Sequence, residues 1–80
     1  MNKREADIEY AKIARTLKEV REAKNISRYK LAKGIGMSKS TIIYIEECKQ
    51  VPKVSTLLMI CDFLQIKPED IFKKARKQKL

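Results

Sequence analysis

The sequence contains no histidine and only two cysteines, and this scarcity limits the chemistry that it can support. Metal sites and cysteine nucleophiles are built from clusters of these residue types. Cys48 and Cys61 are 13 positions apart with no histidine to complete a site. The sequence also lacks a glycine-rich phosphate loop, a Ser/His/Asp set and a clustered carboxylate pair. We therefore predict two reduced thiols, no metal, no cofactor and no enzymatic activity.

Long apolar runs are missing as well. No stretch approaches the roughly 18 apolar residues of a membrane span, and the N-terminus, MNKREAD, has no signal-peptide core. The chain of 80 residues allows one domain, near the lower size limit for a core that is not stabilised by disulfides or metal ions. These features predict a cytoplasmic protein.

Positive charge is what the sequence has in excess, with 19 Lys and Arg against 10 Asp and Glu, a net charge of +9. Such a field favours a polyanionic partner, either nucleic acid or an acidic membrane surface. The tail KKARKQKL, residues 73–80, carries five of these cations. It fits either a frayed, solvated helix end or an arm that contacts phosphates.

The spacing of apolar residues predicts five short helices and no strand. Ser27 and Ser38 are candidate N-caps, Asn25 and Gly36 suit left-handed turns, and Pro68 marks the first turn of the last helix. The expected helices cover residues 8–24, a short segment after 27, 38–47, 54–65 and a segment from 68. The predicted domain is residues 8–75, with flexible basic ends at 1–7 and 76–80.

The fourth predicted helix has its apolar residues on a single stripe. We expect this stripe to face the core. Its members are Val54, Leu57, Ile60, Cys61 and Leu64.

The segment GIGMSKSTIIYIEE, residues 34–47, contains four consecutive apolar residues that would favour a strand by local propensity alone. On a helix, however, Ile42 and Ile45 fall on one side, whereas Ile43 and Tyr44 fall on the other. We expect the first pair to be buried. The exposed Ile43 and Tyr44, among Ser, Thr and Lys, predict a contact surface.

The spacing through this region resembles the helix-turn-helix signature. Counting from Arg28 as the first position, Ala32 is fifth, Gly36 ninth, Ile42 fifteenth and Ile45 eighteenth. The resemblance to the Cro and phage-repressor-like (Xre-type) family of bacterial DNA-binding domains extends over residues 13–72, about three quarters of the chain. It implies an all-α, compact, five-helix lambda-repressor-like domain, of bacterial or phage type, with recognition helix 38–47 in the major groove.

The family resemblance also assigns roles to individual residues. An arginine late in the first helix and the glutamate at the end of the recognition helix form a structural brace, here Arg21 and Glu46. The implied base-reading residues are Lys39, Ser40, Thr41, Ile43 and Tyr44. The implied phosphate contacts are Ser27, Arg28, Tyr29, Lys30, Lys49, Gln50 and Lys53.

Two positions depart from the family pattern. Arg28 stands where the family usually has a glutamine that binds phosphate and braces the recognition helix, which puts the bracing bond in doubt. Cys48 stands where a glycine usually ends that helix, and a left-handed non-glycine residue costs on the order of 1 kcal/mol.

The function implied is a sequence-specific transcriptional regulator, as a repressor, that binds double-stranded DNA as a homodimer on a two-fold operator. The fifth helix, with Phe72 and Leu80, is the expected dimer surface. An antitoxin-like or adaptor module for protein partners is the alternative, and membrane-surface binding by the tail is a third. No pocket for a small-molecule ligand is expected.

Overall fold

Five α-helices and no strand make up the structure, a computed structural model that describes residues 1–80. The all-α, five-helix prediction is therefore confirmed. No helix is both long and apolar enough to span a membrane. The helices are α1 (Lys3–Ala23), α2 (Arg28–Ile35), α3 (Lys39–Glu46), α4 (Val54–Phe63) and α5 (Pro68–Arg76).

The helices pack as a closed ring around one core. Helix α1 contacts α3 and α5, α2 contacts α3 and α4, and α4 contacts α5. Ile42 and Ile45 are both 1% exposed, as predicted, and each contributes about 1.5–3 kcal/mol through burial. The other core residues are Leu17, Leu31, Ala32, Ile60, Cys61, Leu64 and Ile71.

Helix α1 starts earlier than the apolar pattern predicts. The Asn2 side chain accepts a hydrogen bond from the Glu5 backbone N–H at 2.8 Å, and the Asn2 N–H donates to the Glu5 carboxylate at 3.1 Å. This capping box satisfies N–H groups of the first turn. The predicted start at residue 8 was wrong, because residues 3–7 belong to α1.

The C-terminal tail folds back across α1. The Gln78 side-chain amide donates to the Thr16 hydroxyl at 3.2 Å and to the Glu19 carboxylate. Arg15 donates to the Lys79 carbonyl. Gln78 and Lys79 thus contact the first helix, and the flexibility of residues 76–80 stays a prediction.

The predicted apolar stripe of α4 needs one correction. Val54 is 74% exposed, and Thr56 is buried in its place. Val54 is the first residue of the helix, so it lies outside the turns that pack on the core. The helix also ends at Phe63, because Gln65 adopts a left-handed conformation with φ of 57°.

Gly34 allows α2 and α4 to approach closely. A Cβ atom added at this position would overlap the ring of Phe63. The ring therefore fills the space that a side chain at position 34 would occupy, so α2 packs directly against α4. Gly36, in contrast, is in a left-handed turn with φ of 73°, as predicted.

Candidate nucleic-acid interface

Helix α3, which the family resemblance identifies as the recognition helix, begins at a hydroxyl cap. Ser38 Oγ accepts a hydrogen bond from the Thr41 backbone N–H at 3.1 Å and lies 2.9 Å from the Thr41 hydroxyl. Thr41 is therefore partly engaged within the protein. Lys39 and Ser40 are exposed and make no hydrogen bond from their side chains. Their donors are free for an external ligand.

The two faces of α3 separate as the helical rotation predicts. Ile42 and Ile45 enter the core, whereas Tyr44 is 45% exposed and Ile43 is half-buried. The structure thus places four predicted base-reading residues on the outer face or its rim, namely Lys39, Ser40, Ile43 and Tyr44, and leaves Thr41 beside its cap.

Two shallow clefts flank the start of α3. The first, of about 370 Å³, brings together Lys39 with Ser27, Arg28 and Tyr29 from the start of α2. The second, of about 400 Å³, brings together Thr41, Gln50 and Lys53 between α3 and the start of α4. The first cleft also contains Lys18 of α1, which the sequence reasoning missed.

Several predicted phosphate contacts are already engaged within the protein. Ser27 Oγ accepts from the Lys30 backbone N–H at 3.0 Å, and Lys49 pairs with Glu47 at 3.3 Å. The ion pair is at the surface, where such contacts are weak and exchange readily with other partners, whereas the Ser27 hydroxyl caps α2. Tyr29 and Lys30 on α2 are exposed, as are Gln50 and Lys53 in the loop after α3.

Glu46, at the end of α3, holds two arginines. Arg21 donates from Nε to one carboxylate oxygen at 2.7 Å and from Nη2 to the other at 3.1 Å. Arg28 donates from Nε at 2.9 Å. The Arg21 and Glu46 side chains are only 7% and 4% exposed. The expected pair is therefore formed, and Arg28, assigned to phosphate by resemblance, binds the same carboxylate.

Tyr10 contacts the same end of α3 from a second direction. Its hydroxyl donates to the Ile45 carbonyl at 3.1 Å, a carbonyl near the helix end that has few partners within the helix. Burial, and secondarily the nearby Cys48 thiol, raises the pKa of Tyr10 above its ordinary value. The sequence reasoning missed this contact, although a partly buried tyrosine hydroxyl usually has a hydrogen-bond partner.

Cys48 adopts the left-handed conformation that the family pattern assigns to a glycine, with φ of 62°. The Lys49 N–H donates to the Tyr44 carbonyl at 2.8 Å, so the chain turns sharply after α3. The Cys48 side chain is exposed, whereas Cys61 is buried, and both are free thiols. No group of three or more Cys, Asp and Glu side chains is placed to hold a metal ion.

Comparison with known proteins agrees with this geometry. A sequence model of the helix-turn-helix family matches residues 17–71, which is more than half of the chain. The chain belongs to the Xre/Cro-like helix-turn-helix family. It is 41% identical over 56 residues to an uncharacterised helix-turn-helix-type transcriptional regulator of Methanocaldococcus jannaschii, covering 70% of this chain and 85% of that protein. Family membership makes the chain a DNA-binding domain of the kind found in transcriptional regulators. Members of this family are generally not enzymes.

Proposed function

We propose that this helix-turn-helix protein is a sequence-specific transcriptional regulator, acting as a repressor, with α3 in the major groove of double-stranded DNA. The observation that carries the proposal is the outer face of α3, where the unengaged donors of Lys39 and Ser40 lie beside the exposed Tyr44. Helix-turn-helix proteins present the N-terminal residues of this helix to base edges.

Each side chain on this face offers a different kind of base contact. Lys39 can donate to guanine O6 or N7, and Ser40 and Thr41 can bond to several bases. Ile43 offers an apolar surface to a thymine methyl group, and Tyr44 can donate its hydroxyl to a phosphate. We assign base reading to these five residues.

The two clefts beside α3 carry the contacts to the DNA backbone. Ser27, Arg28 and Tyr29 line the first cleft, and Gln50 and Lys53 line the second. The exposed Lys30 and Lys49 are next to them in the sequence. Contacts of this kind set the register of the protein and supply salt-dependent affinity. The net charge of +9 supports the same assignment.

The protein acts on a two-fold operator as a homodimer, because a domain of this size reads only a few base pairs by itself. Two half-sites then lie roughly 34 Å apart. Phe72 on α5 is 42% exposed, and Leu80 lies at the end of the tail beside Ile8 of α1. We assign the dimer surface to this region, although Leu58 of α4 is also exposed.

Selection of bound fragments from a random DNA library tests the proposal, since it yields the site, its symmetry and its half-site spacing together. A gel shift at two salt concentrations then compares the wild type with the Lys39→Ala/Tyr44→Ala variant. We expect the variant to lose preference for the selected site. Lys67→Ala, which removes a cation at the start of α5, is the matched control and retains it.

The proposal fails if the wild type prefers no fragment and the double variant binds as tightly as the wild type. In that case Ile43 and Tyr44 would belong to a surface for a protein partner, as in an antitoxin-like or adaptor module. If the protein binds lipid vesicles and deletion of residues 73–80 abolishes that binding, membrane binding by the tail would be supported instead.

A further inference from the structure

Positive charge is concentrated in two separate segments of the chain. Residues 27–53, which include α2 and α3, contain six Lys and Arg and two carboxylate side chains, a net charge of +4. Residues 73–80, the last turn of α5 and the tail, contain five Lys and Arg and no carboxylate side chain, a net charge of +5. Since the total is +9, all other residues are neutral in sum. The cations of the second segment are Lys73, Lys74, Arg76, Lys77 and Lys79.

The second segment belongs to a part of the fold that is away from the helix-turn-helix unit. Helix α5 contacts α1 and α4 but neither α2 nor α3. In the ring of helices, α1 and α4 therefore lie between α5 and the pair α2 and α3. Packed helices are about 8–10 Å apart, so the separation across an intervening helix exceeds the screening length of about 8 Å in physiological salt. The two basic segments are thus separate electrostatic surfaces.

The cations of residues 73–80 have no counter-charge within the protein. All five are exposed, and none forms an ion pair. Glu69 precedes Lys73 by one helical turn without pairing with it. The helix dipole favours basic residues in the last turn of α5, but Lys77 and Lys79 follow the end of the helix at Arg76. Their charge is therefore free for an external anion.

Contacts of the tail with α1 increase the excess of positive charge. The Gln78 amide donates to Glu19, the one carboxylate that lines the cleft between α1 and the end of α5. Arg15, which is exposed on α1, donates to the Lys79 carbonyl at 3.5 Å. The tail thus engages an acidic side chain and lies beside a sixth cation. We call residues 73–80 together with Arg15 the C-terminal basic surface.

This surface and the dimer contact assigned to Phe72 occupy different sides of α5. At 3.6 residues per turn, Lys73 is about 100° and Lys77 about 140° around the helix from Phe72. A second copy that covers Phe72 therefore leaves Lys73 and Lys77 exposed. A homodimer carries two such surfaces.

The ligand that fits this surface is the phosphate backbone of DNA. A duplex carries one negative charge per roughly 1.7 Å of its axis, so it offers a row of phosphates to several cations at once. Lysine ammonium groups on flexible stems bind such a row as point charges, without reading bases. A protein held on DNA by α3 has further DNA segments as the polyanion at the highest effective concentration.

We propose that the C-terminal basic surface binds the phosphates of a second DNA duplex without regard to sequence. A protein held at its site by α3 then bridges two DNA segments. The identity of the first duplex rests on the proposed function, whereas binding of the second duplex rests on the C-terminal basic surface alone.

Capture of a second duplex measures bridging directly. A fragment with the selected site is immobilised, the protein is added, and a labelled duplex without the site is then offered over a range of salt concentrations. The test variant is Lys73→Gln/Lys77→Gln, which changes two exposed side chains and is expected to fold, as circular dichroism melts check. The matched control, Lys3→Gln/Lys67→Gln, removes two exposed cations outside both basic segments.

Each phosphate contact contributes about 0.9 to the logarithmic salt slope, so Lys73→Gln/Lys77→Gln should reduce the slope of capture by up to about 1.8. At about 0.1 M salt this corresponds to a loss of more than about tenfold in affinity for the second duplex. Affinity for a single short duplex with the selected site should be unchanged in this variant. The control should change neither quantity.

An absence of capture by the wild type, or equal capture by the wild type and Lys73→Gln/Lys77→Gln, would overturn the proposal. An equal loss of affinity for the single short duplex would also overturn it, because the cations would then contact the duplex that α3 holds. Preferential capture of labelled RNA or of anionic phospholipid vesicles would overturn it in favour of that ligand.

Failure of the proposed function gives a different result. In that case the wild type prefers no DNA sequence, and Lys39→Ala/Tyr44→Ala binds every fragment as the wild type does. Binding of unrelated duplexes that weakens in Lys73→Gln/Lys77→Gln would still support the C-terminal basic surface.

Discussion

Replacing Glu46 by glutamine tests the proposed brace at the end of α3. The substitution keeps the size of the side chain but removes the negative charge that faces Arg21 and Arg28. Arg21 is 7% exposed and bonds to this carboxylate at 2.7 and 3.1 Å. After the change, Arg21 is a buried cation with no anion within reach.

The size of the effect follows from this burial. Removing one partner of a buried ion pair costs about 3–5 kcal/mol, because the remaining charge has lost its water and its counter-charge. The glutamine carbonyl still accepts one hydrogen bond, so we expect a value near 3 kcal/mol, the low end of that range. A domain of this size has a free energy of unfolding near the low end of about 5–15 kcal/mol. The variant should therefore keep less than half of the wild-type stability.

Urea unfolding followed by circular dichroism measures this loss, and Glu47→Gln is the matched control. Glu47 is the next residue, is 44% exposed and pairs only with Lys49 at the surface. Its replacement should change the free energy of unfolding by less than about 0.5 kcal/mol. Equal effects of the two substitutions would refute the reasoning that burial makes Glu46 important.

A double-mutant cycle extends the test to the pair. Arg21→Met removes the buried cation, so Glu46→Gln should destabilise the Arg21→Met protein less than it destabilises the wild type. Strict additivity of the two changes would show that the two side chains do not interact energetically.

Three further predictions concern other parts of the bundle. Gly34→Ala should destabilise the protein by up to about 2 kcal/mol in urea unfolding, because overlap with the Phe63 ring outweighs the roughly 1 kcal/mol gained in helix propensity. Phe63→Leu should relieve the loss, and a stabilised Gly34→Ala would contradict this. A thiol reagent should modify Cys48 rapidly and Cys61 only upon unfolding, since Cys61 is buried and its burial also raises the pKa of the thiol. Because the pKa of Tyr10 is raised on folding, its contribution to stability should be complete below the unfolded pKa of about 10 and fall as the pH rises above it. In urea unfolding at several alkaline pH values, the free energy of unfolding should therefore fall less steeply with pH for Tyr10→Phe than for the wild type. Equal slopes for the two proteins would argue against burial of the phenol.

The helix boundaries were predictable where the sequence contains local signals. Ser27 and Ser38 cap their helices through their own hydroxyls. Pro68 begins α5, and the acidic residues Glu69 and Asp70 follow it in the first turn. The burial of Ile42 and Ile45 followed from their positions around the helix axis alone. In each case the determining contacts lie within a few residues along the chain, so the pattern contains the needed information.

Contacts between distant segments were not predictable in this way. Gln78 lies 62 positions from Thr16, and nothing in the composition of a basic tail indicates that its amide finds this hydroxyl. The overlap of Gly34 with the Phe63 ring depends on the packing of α2 against α4. Neither spacing nor resemblance showed that the Glu46 carboxylate also binds a second guanidinium, that of Arg28.

The attachment of α3 explains how so short a helix can present a defined surface. Eight residues are too few for a stable isolated helix, so its orientation must come from the contacts around it. Tyr10 binds the Ile45 carbonyl from α1, and Glu46 binds Arg21 of α1 and Arg28 of α2. Both attachments are at the C-terminal end, which leaves the donors of Lys39 and Ser40 free at the other. A change in any of these holding residues should therefore alter DNA preference even though Tyr10, Arg21 and Glu46 do not face the proposed DNA surface.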